Sequence, residues 1–138
     1  PKSGFSYTHG FPHIAEPYCE IHPQDAARFG IDAATLVEIS SEHGNITARA
    51  IVTERQQRGT AFVPMHWSGH YASTGRVDAV TAPAVDPVSG QPALKSTPVS
   101  VRPYKATWYG FAVLQNRPLH LDASYWAIAR VEGGWRVE

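Results

Sequence analysis

Side chains able to stack, donate, accept or carry charge gather in one irregular stretch: His66, Trp67, Arg76, Asp78, Asp86, Gln91 and Lys95. Trp67 offers a flat apolar face, Asp78 accepts hydrogen bonds, Gln91 donates and accepts, and Lys95 brings a point charge for an anionic or carbonyl oxygen. Together they suit a large polar heterocycle. A solvated surface loop would have the same composition, because long polar loops are common and only some hold ligands. The seven histidines raise a metal reading. His66 and His70 have the i,i+4 spacing of a helical zinc pair, but Pro64 and Ser68-Gly69 break any helix there, and no cysteine or carboxylate cluster completes a tetrahedral set. His22, placed before Pro23, is expected to cap or pack at a helix start, whereas His9, His13, His43 and His120 fall in loops. Cys19 lies in an apolar strand pattern and is expected to be structural. The nucleophile elbow Gly-x-Ser-x-Gly and the glycine-rich phosphate loops are absent, which weighs against a serine hydrolase, a Rossmann site and a nucleoside-triphosphate site.

The 138 residues have room for one ordinary domain, burying roughly two-thirds of the unfolded surface. Twelve basic residues balance twelve acidic ones, so no long-range field draws nucleic acid or an anionic membrane. A single cysteine cannot close an internal disulfide, and no apolar run approaches the roughly 18 to 20 residues of a membrane span. A soluble, reducing, cytoplasmic setting is expected, with no nucleic-acid or membrane partner. The chain opens at Pro1 without an initiator methionine or a signal pattern, which gives the expectation of an excised fragment.

The elements that must position these residues are short. Residues 1 to 17 show neither a two-residue nor a 3.6-residue period and are expected to be an irregular lead-in. A strand over Tyr18 to Ile21 precedes a helix started by Pro23 and stopped by Gly30. A β-hairpin is expected from Thr35 to Ser40 and Ile46 to Thr53, where Ile46, Ala48, Ala50 and Val52 share one face against Asn45, Thr47, Arg49 and Ile51. Thr60 to Pro64 forms a brief strand, Val77 to Thr81 is strand-like within the long loop region, and Thr97 to Tyr104 resumes the alternation. Trp108 to Leu114, Tyr125 to Val131 and Trp135 to Val137 complete an aromatic-rich β-extension. Many short strands with one helix argue for a closed or partly closed β-barrel, which removes exposed edges.

The stretch Ile21-His-Pro-Gln-Asp-Ala-Ala-Arg-Phe-Gly-Ile31, with Ser40-Ser41, His43-Gly44, Arg58-Gly59 and Phe62-Val-Pro-Met-His-Trp67, followed by Asp86-Pro-Val-Ser-Gly-Gln-Pro-Ala-Leu-Lys95, resembles the C-terminal molybdopterin-dinucleotide-binding domain of bacterial molybdenum oxidoreductases, most like those of assimilatory nitrate reductases. The resemblance runs from Glu16 to Arg102, with a weaker likeness in the extension. It implies a double-psi β-barrel over residues 1–103, lacking its first strand and the early Thr-Gly-Arg loop, and a β-rich extension over residues 104–138. It also implies a molybdenum bis(molybdopterin guanine dinucleotide) cofactor contacted by Lys95, Gln91, Asp78, His66 and Trp67, with no catalytic or metal-ligating residue in this chain. Lys95 matches the family's cofactor-binding lysine. Asp78, in Val77-Asp-Ala-Val-Thr81, stands where the family has asparagine, an exchange of a donor-acceptor amide for an acceptor-only carboxylate that implies a weakened or water-mediated contact. The implied partners are the remaining domains of a parent oxidoreductase, which would carry an iron–sulfur cluster, and nitrate as substrate for nitrate assimilation. A formate dehydrogenase of the same superfamily and a stand-alone β-barrel binding module remain the alternatives, since fold does not fix substrate.

Overall fold

A computed structural model describes residues 15–91 and 97–138. Residues 1–14 of the expected lead-in, with His9 and His13, and the position of Lys95 lie outside the described residues. The order is β1 (Tyr18–Ile21), α1 (Pro23–Phe29), β2 (Leu36–Ser40), β3 (Asn45–Val52), β4 (Ala61–Phe62), a 3-10 turn (Val77–Ala79), β5 (Ser100–Pro103), β6 (Ala112–Leu114), β7 (Ile128–Val131) and β8 (Gly134–Val137). Among the described residues the molecule is mainly β with one α-helix, as the short alternating segments require. The first sheet has the order β4-β1-β3-β2-β5, the second β6-β8-β7.

α1 begins and ends where its sequence says it should. The His22 ring nitrogen Nδ1 accepts from the Gln24 N–H at 3.1 Å, Pro23 takes the first helical position, and Gly30 sits left-handed at φ 67°. Behind it, Ile31 N–H donates to the Ala26 carbonyl at 2.8 Å. Both apolar residues enter the core, where Cys19, Ile21, Val37, Ile39, Ile46, Ala48 and Ala50 pack from β1, β2 and β3. The hairpin forms in the expected antiparallel register, with Val37 opposite Ala48 and Ile39 opposite Ile46. β1 runs parallel to β3, pairing Cys19 with Ala50, so α1 and β2 form the crossover between them.

Val77 to Thr81 is not a strand. Ala79 N–H donates to the Arg76 carbonyl and Val80 N–H to the Val77 carbonyl, both at 3.1 Å, so the backbone satisfies itself locally as a 3-10 turn. The i,i+3 spacing explains why: Val80 is buried and Val77 packs against the same core, while Asp78 points outward. The tip of the β2–β3 hairpin rests on this turn, since a Cβ at Gly44 would come within 2.6 Å of the Ala79 carbonyl oxygen. In the extension, pairing starts later than the aromatic pattern suggests. Only Ala112 to Leu114 of the Trp108 segment and Ile128 to Val131 of the Tyr125 segment find strand partners. The second sheet is tied to the loop after β4 by the Ala72–Ala127 bridge, by Ser73 N–H to the Trp126 carbonyl at 3.0 Å and by Ile128 N–H to the Tyr71 carbonyl at 2.8 Å. Among the described residues, no helix is long and apolar enough to cross a membrane.

Cys19 is fully enclosed, and its burial, with the charge of Glu20 adding, pushes the thiol from 9.0 up to about 12. The folded thiol therefore keeps its proton while the unfolded chain loses its own from about pH 9 upward, so stability falls across the window between those values. Unfolding free energies of wild type minus Cys19→Ala, measured by denaturant titration, should decline from pH 9 to 11. A flat difference would show that the thiol is not enclosed.

Candidate functional site

The polar loop region is built outward from core anchors. After Pro64 the chain turns at Met65-His66, leaving His66 exposed and Trp67 half-buried. A Cβ at the buried Gly75 would lie 3.3 Å from the Trp67 Cβ and would collide with the Pro17 ring. Only glycine lets these three segments meet, which brings Trp67 against the start of the Arg76–Asp78 turn. The Asp78 carboxylate is not free. Arg76 donates from Nη2 to Oδ2 at 2.5 Å and from Nε to Oδ1 at 3.3 Å, engaging both oxygens. The hydrogen bond from Arg76 lowers the Asp78 pKa, and the same bond raises that of the guanidinium. Thr81 Oγ1 donates to the Asp78 carbonyl at 3.1 Å and finishes the turn.

Past the turn, Ala82 N–H donates to Thr97 Oγ1 at 3.3 Å and closes the base of an excursion. Within it, the Asp86 carboxylate accepts from the Val88 and Ser89 N–H groups at 3.0 and 2.6 Å, and those bonds, from Ser89 above all, lower its pKa. Asp86 N–H donates to the Gln91 carbonyl at 2.8 Å, and Gly90 at φ 69° makes the return. Gln91 is thus held at the foot of an Asp-initiated turn with its side chain exposed. Of the residues singled out from the sequence, the structure joins Trp67 to the Asp78 turn. His66 is one residue away, and among the described residues no hydrogen bond links Gln91 to Asp78. His66 and His70 occupy irregular turns, and no group of three or more metal-ligating side chains forms among the described residues.

A second constellation escaped the sequence reading. Arg49, the one charged residue of β3, donates from Nε and Nη2 to the two oxygens of Glu16 at 2.9 and 3.0 Å and from Nη1 to the Ala34 carbonyl at 3.1 Å. Tyr125 donates its hydroxyl to Glu16 at 3.1 Å, and Glu138 lies 3.9 Å from Arg49 and 3.1 Å from Arg136. Burial works against the Arg49 charge, but the hydrogen bond and charge of Glu16 outweigh it and raise its pKa. Burial, then the Glu16 charge, raise both Tyr125 and Glu138. Glu16 falls within the aperiodic lead-in, so periodicity could not reveal it. The available signal was Arg49 itself, a charge inside an otherwise uncharged strand that needs an acidic partner. Above this network lies a cleft of about 790 Å³ walled by Trp108, Tyr109, Phe111 and Trp126, with Arg49 and Glu138 on its lining.

Replacing the Glu16 carboxylate by an amide should cost more than removing the Tyr125 hydroxyl. Side-chain exposures of 22% for Arg49 and 12% for Glu16 place the pair below the fully buried limit, so Glu16→Gln should destabilise by about 2–3 kcal/mol and Tyr125→Phe by about 1 kcal/mol. Denaturant midpoints at pH 7 check this. Equal, small losses for both would mean that solvent already screens the pair.

Comparison with known proteins gives the family of the chain. Residues 6–98 match the model of the molydopterin dinucleotide binding domain. A nitrate reductase of Klebsiella oxytoca is 35% identical over 122 residues, covering 88% of this chain and 14% of that protein. The assimilatory nitrate reductase catalytic subunit of Bacillus subtilis is 38% identical over 88 residues, or 64% of this chain and 12% of that one. The F420-dependent formate dehydrogenase subunit alpha of Methanocaldococcus jannaschii is 34% identical over 88 residues, again 64% of this chain and 12% of that protein. The chain therefore spans only about an eighth of the length of these relatives. Among solved structures, acetylene hydratase from Pelobacter acetylenicus superimposes with a TM-score of 0.56 at 18% identity, covering 64% of this chain and 14% of that one, a likeness of fold. With two-thirds of its length matched by the family model, the chain belongs to the molydopterin dinucleotide binding domain family.

Proposed function

We propose that this chain is the cofactor-binding domain of a larger molybdenum oxidoreductase that reduces nitrate to nitrite. The observation that carries the choice of nitrate is the Klebsiella oxytoca match. At 88% of the chain it extends past residue 98, where the family model stops, into the β-rich extension. Residues 1–103 then form the cofactor-binding unit and residues 104–138 an extension. The formate dehydrogenase matches favour the second reading, a dehydrogenase of the same superfamily.

A bound molybdenum bis(molybdopterin guanine dinucleotide) would supply oxygen-atom transfer from nitrate, with electrons relayed from an iron–sulfur cluster elsewhere in the parent, in the cytoplasm. What this chain contributes is binding and orientation. The residues fit such a group: the carboxylate at position 78 is neutralised by Arg76, so it would not meet an anionic cofactor as a lone charge, and the guanidinium keeps Nη1 outside that pair. Trp67 and His66 border the same turn, Gln91 offers an amide, and Lys95 an ammonium. Because Asp78 spends its acceptors on Arg76, it acts as a positioning residue, the weakened contact that the asparagine-to-aspartate exchange implies.

In the longer protein, Lys95→Ala should remove a charge-assisted bond worth roughly 1.5–3 kcal/mol and lower molybdopterin content per mole of protein. Asp78→Asn should hold or raise it, because the amide no longer cancels the Arg76 charge. Full occupancy in the lysine variant, or loss in the asparagine variant with folding intact, would place the site elsewhere. Nitrate turnover by the 138-residue chain alone would overturn the assignment of the chemistry to other domains.

A further inference from the structure

The extension exposes what a self-sufficient sheet would cover. Trp108 is 71% exposed, Phe111 79% and Val113 65%, and Tyr109 lies open between them. All three residues of β6 are exposed, and β6 is an edge of its sheet, hydrogen-bonded to β8 on one side. An apolar edge strand with both faces open invites another strand. The aromatic run also forms one wall of the cleft over Arg49. The floor of that cleft decides what fits. Arg49 spends its three nitrogens on Glu16 and Ala34, and the Tyr125 hydroxyl is given to Glu16. On that floor the guanidinium is already spent on a carboxylate, and the exposed Lys105 and Asp122 on the lining carry opposite charges, so the apolar walls set the preference.

We infer that the cleft wall Trp108–Phe111 and the β6 edge form an interdomain docking surface that receives an apolar, extended segment from the rest of the parent oxidoreductase. This rests on the proposal that the domain works within a longer chain. Its occupant is chosen on length: the Klebsiella oxytoca relative, whose match reaches into the extension, carries about six-sevenths of its own chain outside the matched part. Side chains of the segment would fill the cleft, and its backbone would pair with the free edge of Ala112 to Leu114. Continuous apolar contact with main-chain pairing is the usual form of strand addition.

Hydroxyl-radical footprinting of the purified longer protein tests this without any substitution, using the four tryptophans as internal clocks. In the domain as it stands, Trp108 is the most exposed of them, while Trp67, Trp126 and Trp135 are half-buried. Docking should reverse that order, slowing Trp108 roughly fivefold or more, below the rate of Trp135, which does not line the cleft, because an interface core excludes water. Trp108 remaining the fastest to oxidise would overturn the inference. Protection that disappears on dilution would assign the surface to a second copy and overturn it equally. The two proposals fail separately: purified parent protein without molybdopterin but with Trp108 protected would sink the functional reading alone, and a fast Trp108 with full cofactor would sink the docking alone.

Discussion

The Arg49–Glu16 pair is the interaction on which the arrangement of the two sheets depends. A guanidinium on a central strand of the first sheet cannot leave water unless a carboxylate meets it in matching geometry. Glu16 does so with both oxygens, and the backbone follows: Arg49 N–H donates to the Pro17 carbonyl at 2.8 Å, fixing the approach to β1. Nη1 reaches the carbonyl of Ala34, which sits left-handed at φ 64°, a conformation costing an alanine about 1–2 kcal/mol. Arg49 on one side and the Ala50 carbonyl accepting the Ala34 N–H on the other hold it there. Through Tyr125 the same carboxylate reaches the segment that leads into β7 of the second sheet. What such a pair contributes is geometry more than net energy, since removing two charges from water offsets most of their attraction.

The Arg76–Asp78 pair uses the same chemistry in a different dielectric. Its side chains are largely exposed, so solvent and salt screen it and its effect on stability is small. Its consequence is local charge. A carboxylate two residues from an arginine leaves a nearly neutral turn where a lone aspartate would repel an anionic ligand. The turn is held to the core by Val77 and Val80 and to the hairpin tip through Gly44, so a polar loop acquires a fixed position without a regular element of its own.

The two sheets divide the apolar material unequally. Most of the buried residues come from the first sheet and α1, while the large exposed aromatics cluster in the segment leading to β6. The three-stranded sheet has a small buried set, Ile128 and Val137, with Ala127 just before β7, and leans on the loop after β4 through the Ala72–Ala127 bridge. A sheet this small gains its order from neighbours, because a few strands bury too little surface to stand alone.

By itself the sequence determined what depends on near neighbours. α1, with its histidine cap, proline start and glycine stop, was legible in Ile21 to Gly30, as were β1 and the β2–β3 hairpin, because capping, left-handed φ and two-residue alternation act over a few residues. The family could be read from the same stretch and from Asp86 to Lys95. Tertiary structure alone decided the rest. Whether Val77 to Thr81 became strand or turn hung on a partner strand: none among the described residues paired with it, and two valines three apart found the core instead. How much of the Trp108 and Tyr125 runs became strand was set by where β8 could pair. Glu16, Arg49 and Tyr125, separated by 33 and 109 positions at their Glu16 contacts, have no common period or motif. Their union is a product of the fold, because a charge chooses its partner by distance in space and by exclusion of water, neither of which is written in the order of residues.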